Sequence, residues 1–365
     1  MKGSVKEDPP KPSNSPTTPI ATEPDKLALS ELLSRFFDSI PDGSLEDNTL
    51  STMRLHERHL LRILKPKLNV RGLKNQQLTS YINKRAKEKT QRIIDKSVPK
   101  KKQKRVPVSA TTVRKELVTL GSAWRWAIDT ELLSDRFPNR GLRWPKTEEK
   151  PPFQTWEEIE RQIEEGDLTS AEADALWDCL YLRQNEIAEL LKYVKQNARY
   201  DYVYPMFMTT AYTGARRSEL LRSRKTDINL RGGVITIRER KRIRGQHSTR
   251  RVPICEALLP TLENWLANHP GSQFTFAKDG ELTPSQVQTQ FINTLKHGKW
   301  KHVKGWHCLR HSFISNLASA GVDQRIIDDF VGHTTEEMRR RYRHLLPDVK
   351  KAAIDGVFDS QGYKT

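Results

Sequence analysis

Cysteine is scarce in this chain: Cys179, Cys255 and Cys308 are the only three in 365 residues, an odd number with no paired spacing. That pattern excludes a disulfide framework and offers no cysteine-based zinc site. Long apolar runs are missing too. Stretches such as "YPMFMTTAYTG", residues 204 to 214, fall far short of the roughly 20 apolar residues that a spanning helix needs. The N-terminus carries no apolar signal region, so no membrane association is expected and the chain should sit in the cytoplasm. Acidic residues are in deficit, 45 against 63 Lys and Arg, and no carboxylate set suited to a pair of divalent ions stands out. A metal-dependent nuclease or transposase is therefore disfavoured. No repeat of solenoid type is present.

Positive charge is what the sequence has in excess. The formal net charge is +18 and the isoelectric point is near 9.8. A basic surface attracts phosphate and releases condensed counterions on binding, so nucleic acid is the first candidate partner and an anionic membrane surface the second. At this length two folded domains with tails are expected.

Residues 1–26, rich in Pro, Ser, Thr and charge, bury too little apolar surface to offset the entropy of ordering them and read as a disordered tail. From Leu27 the pattern turns helical. In "TLSTMRLHERHLLRIL", Leu55, Leu60, Leu61 and Leu64 share one broad face. In the helix that follows the basic run, Val113, Leu117, Leu120, Trp124 and Ile128 repeat in steps of three and four, which predicts one buried stripe. Between these helices, "KSVPKKKQKRVP" from Lys96 to Pro107 is either a solvated loop or a phosphate-contacting arm; Lys100, Lys101, Lys102, Lys104 and Arg105 would supply the contacts. A second composition break around 137–154 reads as an interdomain connection, with the linker proper at 146–154. Thr155 with Glu158, and Thr169 with Glu172, predict helix starts by capping boxes. Gly232 and Gly233 then introduce a β-hairpin: a short β-branched run, a basic turn holding Lys241, Arg242 and Arg244, and a second short run ending at Ile254.

Three stretches could carry chemistry. In "TGARRSELL", Gly214 can break one helix while Arg216, Arg217 and Glu219 open the next, a potential anion site or an ordinary surface ion pair. In "WHCLRHSFISNLASAG", His307 and Arg310 share a helical face and offer a proton carrier beside a planar guanidinium fork. His307 and His311 have metal-ligand spacing, but position 308 is Cys where a zinc-protease helix needs Glu. In "VGHTTEEMRRRYRHLL", Gly332 closes a helix, His333 and Thr334 open another, and Tyr342 follows among arginines.

In that order, Arg within "TGxRxSE", a hairpin lysine, "HxLRH", "GH" and then Tyr resemble the tyrosine recombinase (phage integrase) family, over the span from about Leu27 to Ile354. The resemblance implies a mainly α fold with a small β-hairpin or sheet: a two-domain clamp of an all-helical core DNA-binding domain, 27–145, and an α+β catalytic domain, 155–346, followed by a tail, 347–365. No folded arm-binding domain is expected before Leu27.

The family's chemistry would make the chain a site-specific recombinase of a mobile genetic element, cutting and rejoining DNA through a covalent 3′-phosphotyrosine without metal, cofactor or ATP. Tyr342 would be the nucleophile. Arg216 and Arg310 would bind the nonbridging oxygens of the scissile phosphate, and His307 would move a proton beside it. His333 would hydrogen-bond it, Glu219 would orient Arg216, and Lys241 would protonate the leaving 5′ oxygen. Lys241 departs from the family in being followed by the long arginine-rich "RIRGQHSTRR". Double-stranded DNA at specific sites is the implied partner, with a homotetramer in the synaptic complex and a nucleoid location. The tail either docks on a neighbouring protomer or packs on its own domain. A type IB topoisomerase, or a catalytically silent DNA-binding protein, are the competing readings.

Overall fold

The computed structural model describes residues 26–90, 105–145, 151–243, 246–332, 341 and 355. All but Lys26 of the predicted N-terminal tail, Lys100 to Lys104, Arg244, His333, Tyr342 and, apart from Asp355, the C-terminal tail lie outside them. The chain divides into two compact units, 1–149 and 150–365.

Among its described residues the first unit packs four α-helices: α1 (Leu29–Asp38), α2 (Asp47–Leu64), α3 (Asn75–Lys87) and α4 (Ala110–Asp129). Ser109 starts α4 by accepting a hydrogen bond from the Thr112 amide, satisfying one of the free N–H groups of the first turn. The predicted stripe of α4 is buried at Val113, Leu117, Leu120 and Trp124, with Ala127 completing it in place of the half-exposed Ile128. The face of α2 differs from the expectation. Leu55 is 43% exposed, and the buried line runs through His56 and Leu60. His56 can lie inside because its Nδ1 shares a 2.8 Å hydrogen bond with the Thr119 hydroxyl of α4; burial lowers its pKa and favours the neutral ring.

Glu116 of α4 is fully buried, a position that an apolar residue would ordinarily take. It accepts from Tyr81 Oη at 2.6 Å and from Arg85 Nε and Nη2 at 2.9–3.1 Å. Two short strands, β1 (Lys89–Thr90) and β2 (Val106–Pro107), pair antiparallel with Thr90 opposite Val106. The basic run therefore ends in this ladder.

The second unit begins earlier than composition suggests. Of the linker predicted at 146–154, Phe153 and Gln154 are packed while Pro151 and Pro152 are exposed: Phe153 is wholly buried against Tyr181 and Ile314, and Gln154 bridges to Leu180. One phenyl ring placed among apolar neighbours outweighs the loop-like Pro and Gln around it. Then come α5 (Trp156–Glu165), α6 (Ser170–Leu176), α7 (Gln184–Asn197), α8 (Val203–Thr213) and α9 (Arg217–Arg222). Both expected capping boxes open α5 and α6.

Helix α8 is apolar nearly all round and central, touching α7 and α12 (Trp306–Ser319). Its buried Thr209, Thr210 and Thr213 donate their hydroxyls to carbonyls four residues back, which makes them compatible with a dry core.

A three-stranded antiparallel sheet follows α9, in the order β3 (Ile228–Asn229), β4 (Val234–Ile243), β5 (Gln246–Pro253). The hairpin strands are longer than the sequence implies. Much of the basic "turn" is strand, pairing through Ile243 and Gln246 with a register shift between Arg238 and Arg242. Charged residues obscure the alternation, but inter-strand pairing continues along the backbone. The unit finishes with α10 (Leu259–Ala267), α11 (Pro284–Leu295), α12 and α13 (Gln324–Val331). Among the described residues no helix is long and apolar enough to cross a membrane.

Candidate active site

Helix α8 ends at Gly214, whose φ of +63° is the left-handed cap that glycine adopts without strain. A β carbon there would press into Phe313 and Val331. The chain reverses into Arg216, the residue before α9. Glu219, one turn on, accepts from the Arg216 amide at 2.8 Å and from its Nη1 at 2.7 Å. The Glu219 side chain is 3% exposed while that of Arg216 is 35% exposed, so the pair joins a buried anion to a cation at the surface.

Arg250 of β5 completes the surroundings of Glu219. Its Nη2 donates to one carboxylate oxygen at 2.7 Å and its Nη1 to the other at 3.2 Å. Burial would push the Glu219 carboxyl up, but the hydrogen bonds and charge of Arg250, then those of Arg216, prevail and hold it at about 2. Composition-based reading of the hairpin missed Arg250. Strand alternation contains the signal, because Val252 is buried and Arg250 lies two residues before it on the same face.

Trp306 anchors the start of α12, packed against Phe207 and Phe291 with ring centroids 4.7 and 4.9 Å away. The next residue, His307, faces an open cleft of about 560 Å³ that Arg216, Arg217, Ser218, Gln288 and His311 also line. Desolvation, and then the charges of Arg310, Arg216 and Arg217, lower the His307 pKa and favour its neutral form. Arg217 donates to Gln288 at 2.9 Å.

Arg310 lies behind this cleft rather than in its lining. It is 2% exposed, and its Nη1 and Nη2 donate at 2.6 Å to the Gly214 and Val331 carbonyls. The His311 ring packs at a tilt against Phe153, with centroids 4.1 Å apart. On Phe153 also rests the guanidinium of Arg341, 3.8 Å from the ring centroid, with Nη2 donating to the Pro151 carbonyl. The residue immediately before Tyr342 is thereby attached to the wall that carries His311. Gly332, with φ +64°, caps α13 just before His333. Lys241 and Arg242 are placed only as backbone of β4, and Arg105 is exposed beside β2. Among the described residues no group of three or more potential metal donors gathers.

The second unit is thus mainly helical with a small antiparallel sheet, and its cleft brings an arginine and a histidine together. Residues 181–348, a little under half of the chain, match the sequence model of the phage integrase family, and over that segment the chain is similar to the tyrosine recombinases. It is 24% identical over 265 residues to a tyrosine recombinase of Pseudothermotoga lettingae, an alignment covering 72% of this chain and 80% of that one. Its fold is similar to that of the Tn1549 transposon integrase in complex with transposon right end DNA: TM-score 0.62, 17% identity, 91% of this chain and 99% of that one. It is similar also to a lambda integrase tetramer bound to a Holliday junction: TM-score 0.55, 14% identity, 85% and 78%.

Proposed function

We propose that the chain is a DNA recombinase that cuts and rejoins strands at specific sites through a covalent bond between Tyr342 and a 3′ phosphate. The reading rests chiefly on the meeting of Arg216 and His307 at one cleft, with Arg310 and Glu219 fixed behind it. Attack at a phosphodiester crowds negative charge on the phosphorus oxygens, and preorganised cations stabilise that charge most effectively away from bulk water. Arg216 is the arginine able to meet a phosphate in the cleft directly. Arg310, held by two carbonyls, supplies a fixed positive field from behind. A neutral His307 suits the acceptance of a proton as the Tyr342 hydroxyl attacks. The placement of Arg341 supports an approach of Tyr342 to this wall.

Lys241 is the proposed donor to the leaving 5′ oxygen, and His333 a hydrogen-bond donor to the phosphate. The phosphotyrosine conserves the bond energy for rejoining, so neither ATP nor a metal is required. The basic run and the hairpin are the proposed backbone contacts, with synapsis through four protomers as in the lambda integrase tetramer.

The test is a covalent trap. Nicked duplexes spanning the ends of the element that carries the gene are incubated with wild type and Tyr342→Phe and separated under denaturing conditions. A protein–DNA band in wild type alone, mapped to Tyr342, is the expected result. A band that persists in the phenylalanine variant removes Tyr342 from the mechanism. Tight binding with no band in either protein favours a silent DNA-binding protein.

A further inference from the structure

The hairpin has a charged connection into the site that its predicted lysine does not explain. Arg250 lies on β5 with its side chain only 5% exposed, and its contacts engage Nε, Nη1 and Nη2. Nη1 and Nη2 take Glu219, Nη1 also reaches Glu239 of β4 at 3.2 Å, and Nε donates to the Phe330 carbonyl at 2.6 Å. Phe330 is in the last turn of α13, where carbonyls have no partner within the helix. The next carbonyl, Val331, is taken by Arg310. Two arginines from two other elements thus hold the end of α13, one residue short of Gly332 and His333. Glu239 lies so close that a β carbon on Gly332 would collide with its carboxylate.

Resting on the recombinase reading above, we infer that Arg250 is a positioning residue that locks Arg216, through Glu219, and the α13 exit toward His333, through Phe330, into one rigid frame. Dehydrating an arginine and a glutamate is unfavourable, and an apolar pair could fill the same volume with equal or greater stability. What an apolar pair could not do is fix two separate elements with directional hydrogen bonds. An arginine can, because its planar fork offers two edges and Nε in fixed relative positions. A displacement of about 1 Å at a reacting group is enough to slow chemistry on the order of 100-fold. Arg250 touches no reacting atom, so its effect should reach the chemistry only through Arg216 and the α13 exit.

The test uses the full chain with Arg250→Met, Arg250→Lys, Glu219→Gln and the Arg250→Met/Glu219→Gln double variant. Hydrogen exchange comes first, since it needs no DNA. Expected is lost protection at residues 216–222 and again at 327–332, with α7 and α11 unchanged. Loss confined to the hairpin overturns the frame. The second readout is the rate of covalent adduct formation on the nicked duplexes, beside the affinity for the same DNA. Arg250→Met should slow the adduct about 100-fold with affinity changed by less than about 3-fold. The lysine variant, which cannot fork, should recover only a minor part of the rate. The double variant should be no slower than the worse single one, because both break the same link. Parallel loss of rate and affinity, or additive losses, overturns the proposal. Should the methionine variant lose protection throughout the unit, Arg250→Lys, which keeps the charge, carries the same two readouts. Localised exchange at both sites with no adduct in wild type would leave the frame standing and sink the recombinase chemistry instead.

Discussion

Glu116 in the first unit and Glu219 in the second are both carboxylates withdrawn from water and met by arginine. Around Glu116 every partner is interior: Arg85 has a side chain 7% exposed and Tyr81 is wholly buried. Around Glu219 one arginine is interior, Arg250, and the other, Arg216, reaches the cleft. The first network ties α3 to α4 and runs on from Arg85 to Glu88, which pairs with the exposed Arg62 of α2, so Glu116 itself touches no surface cation. In the second, the buried anion itself holds a surface cation in a fixed orientation. A buried ion pair is weak evidence for stability taken alone, and a direct bond from the buried carboxylate to a cation at a cleft is what separates a structural pair from one able to act on a ligand.

That contrast can be broken by substitution. Arg216→Gln should slow covalent adduct formation by about 100- to 1000-fold and change the stability of the second unit by less than about 1 kcal/mol, because Arg216 is partly solvated and Glu219 keeps Arg250. Arg85→Met should do the reverse. It should destabilise the first unit by about 3–5 kcal/mol, since it strands a buried carboxylate, with the adduct rate per folded molecule unchanged. Urea unfolding beside single-turnover trapping measures both. Equal effects on stability and chemistry from the two variants would erase the distinction.

Acid sharpens it further. The Glu219 carboxyl is held at about 2, below its ordinary value of 4.5. A carboxyl with a depressed folded pKa contributes stability that is fully present above the unfolded value and is lost as pH falls through the folded one. The loss should therefore run from about pH 4.5 down to 2, on the order of 3 kcal/mol, and Glu219→Gln should flatten that limb in a pH series of unfolding free energies. The smallest expected effect is none: EDTA should leave the adduct rate unchanged, and loss of activity restored by a divalent ion would mean that a metal does work here assigned to Arg216.

Periodicity made the helices legible, because an apolar stripe such as Val113, Leu117, Leu120 and Trp124 has one physical use. Capping chemistry gave the starts of α5 and α6, and Gly214 and Gly332 gave the ends of α8 and α13. The site residues that belong to short motifs were legible as well, since Arg216 with Glu219, or His307 with Arg310, lie within one helical turn. What escaped depends on distant partners. The buried setting of Arg310 comes from carbonyls 96 and 21 residues away, and neither has a sequence signature. Arg250 was hidden by arginines on both sides of the hairpin, although the alternation around Val252 marks its inward face. Leu55 misleads because the broad leucine face of α2 predicts its burial, whereas a histidine with a hydroxyl partner occupies the covered position.

The ladder of Thr90 and Val106 holds two points distant in sequence side by side. Its base is fastened on the α3 side, where Glu88 accepts from the Val108 amide and from Arg62 and Arg85. One residue thus serves three helices at once: its carbonyl fixes the chain as it approaches α4, and its carboxylate draws α2 and α3 together. Glu88 is the hinge pin of the first unit, although it lies at the rim and not in the core.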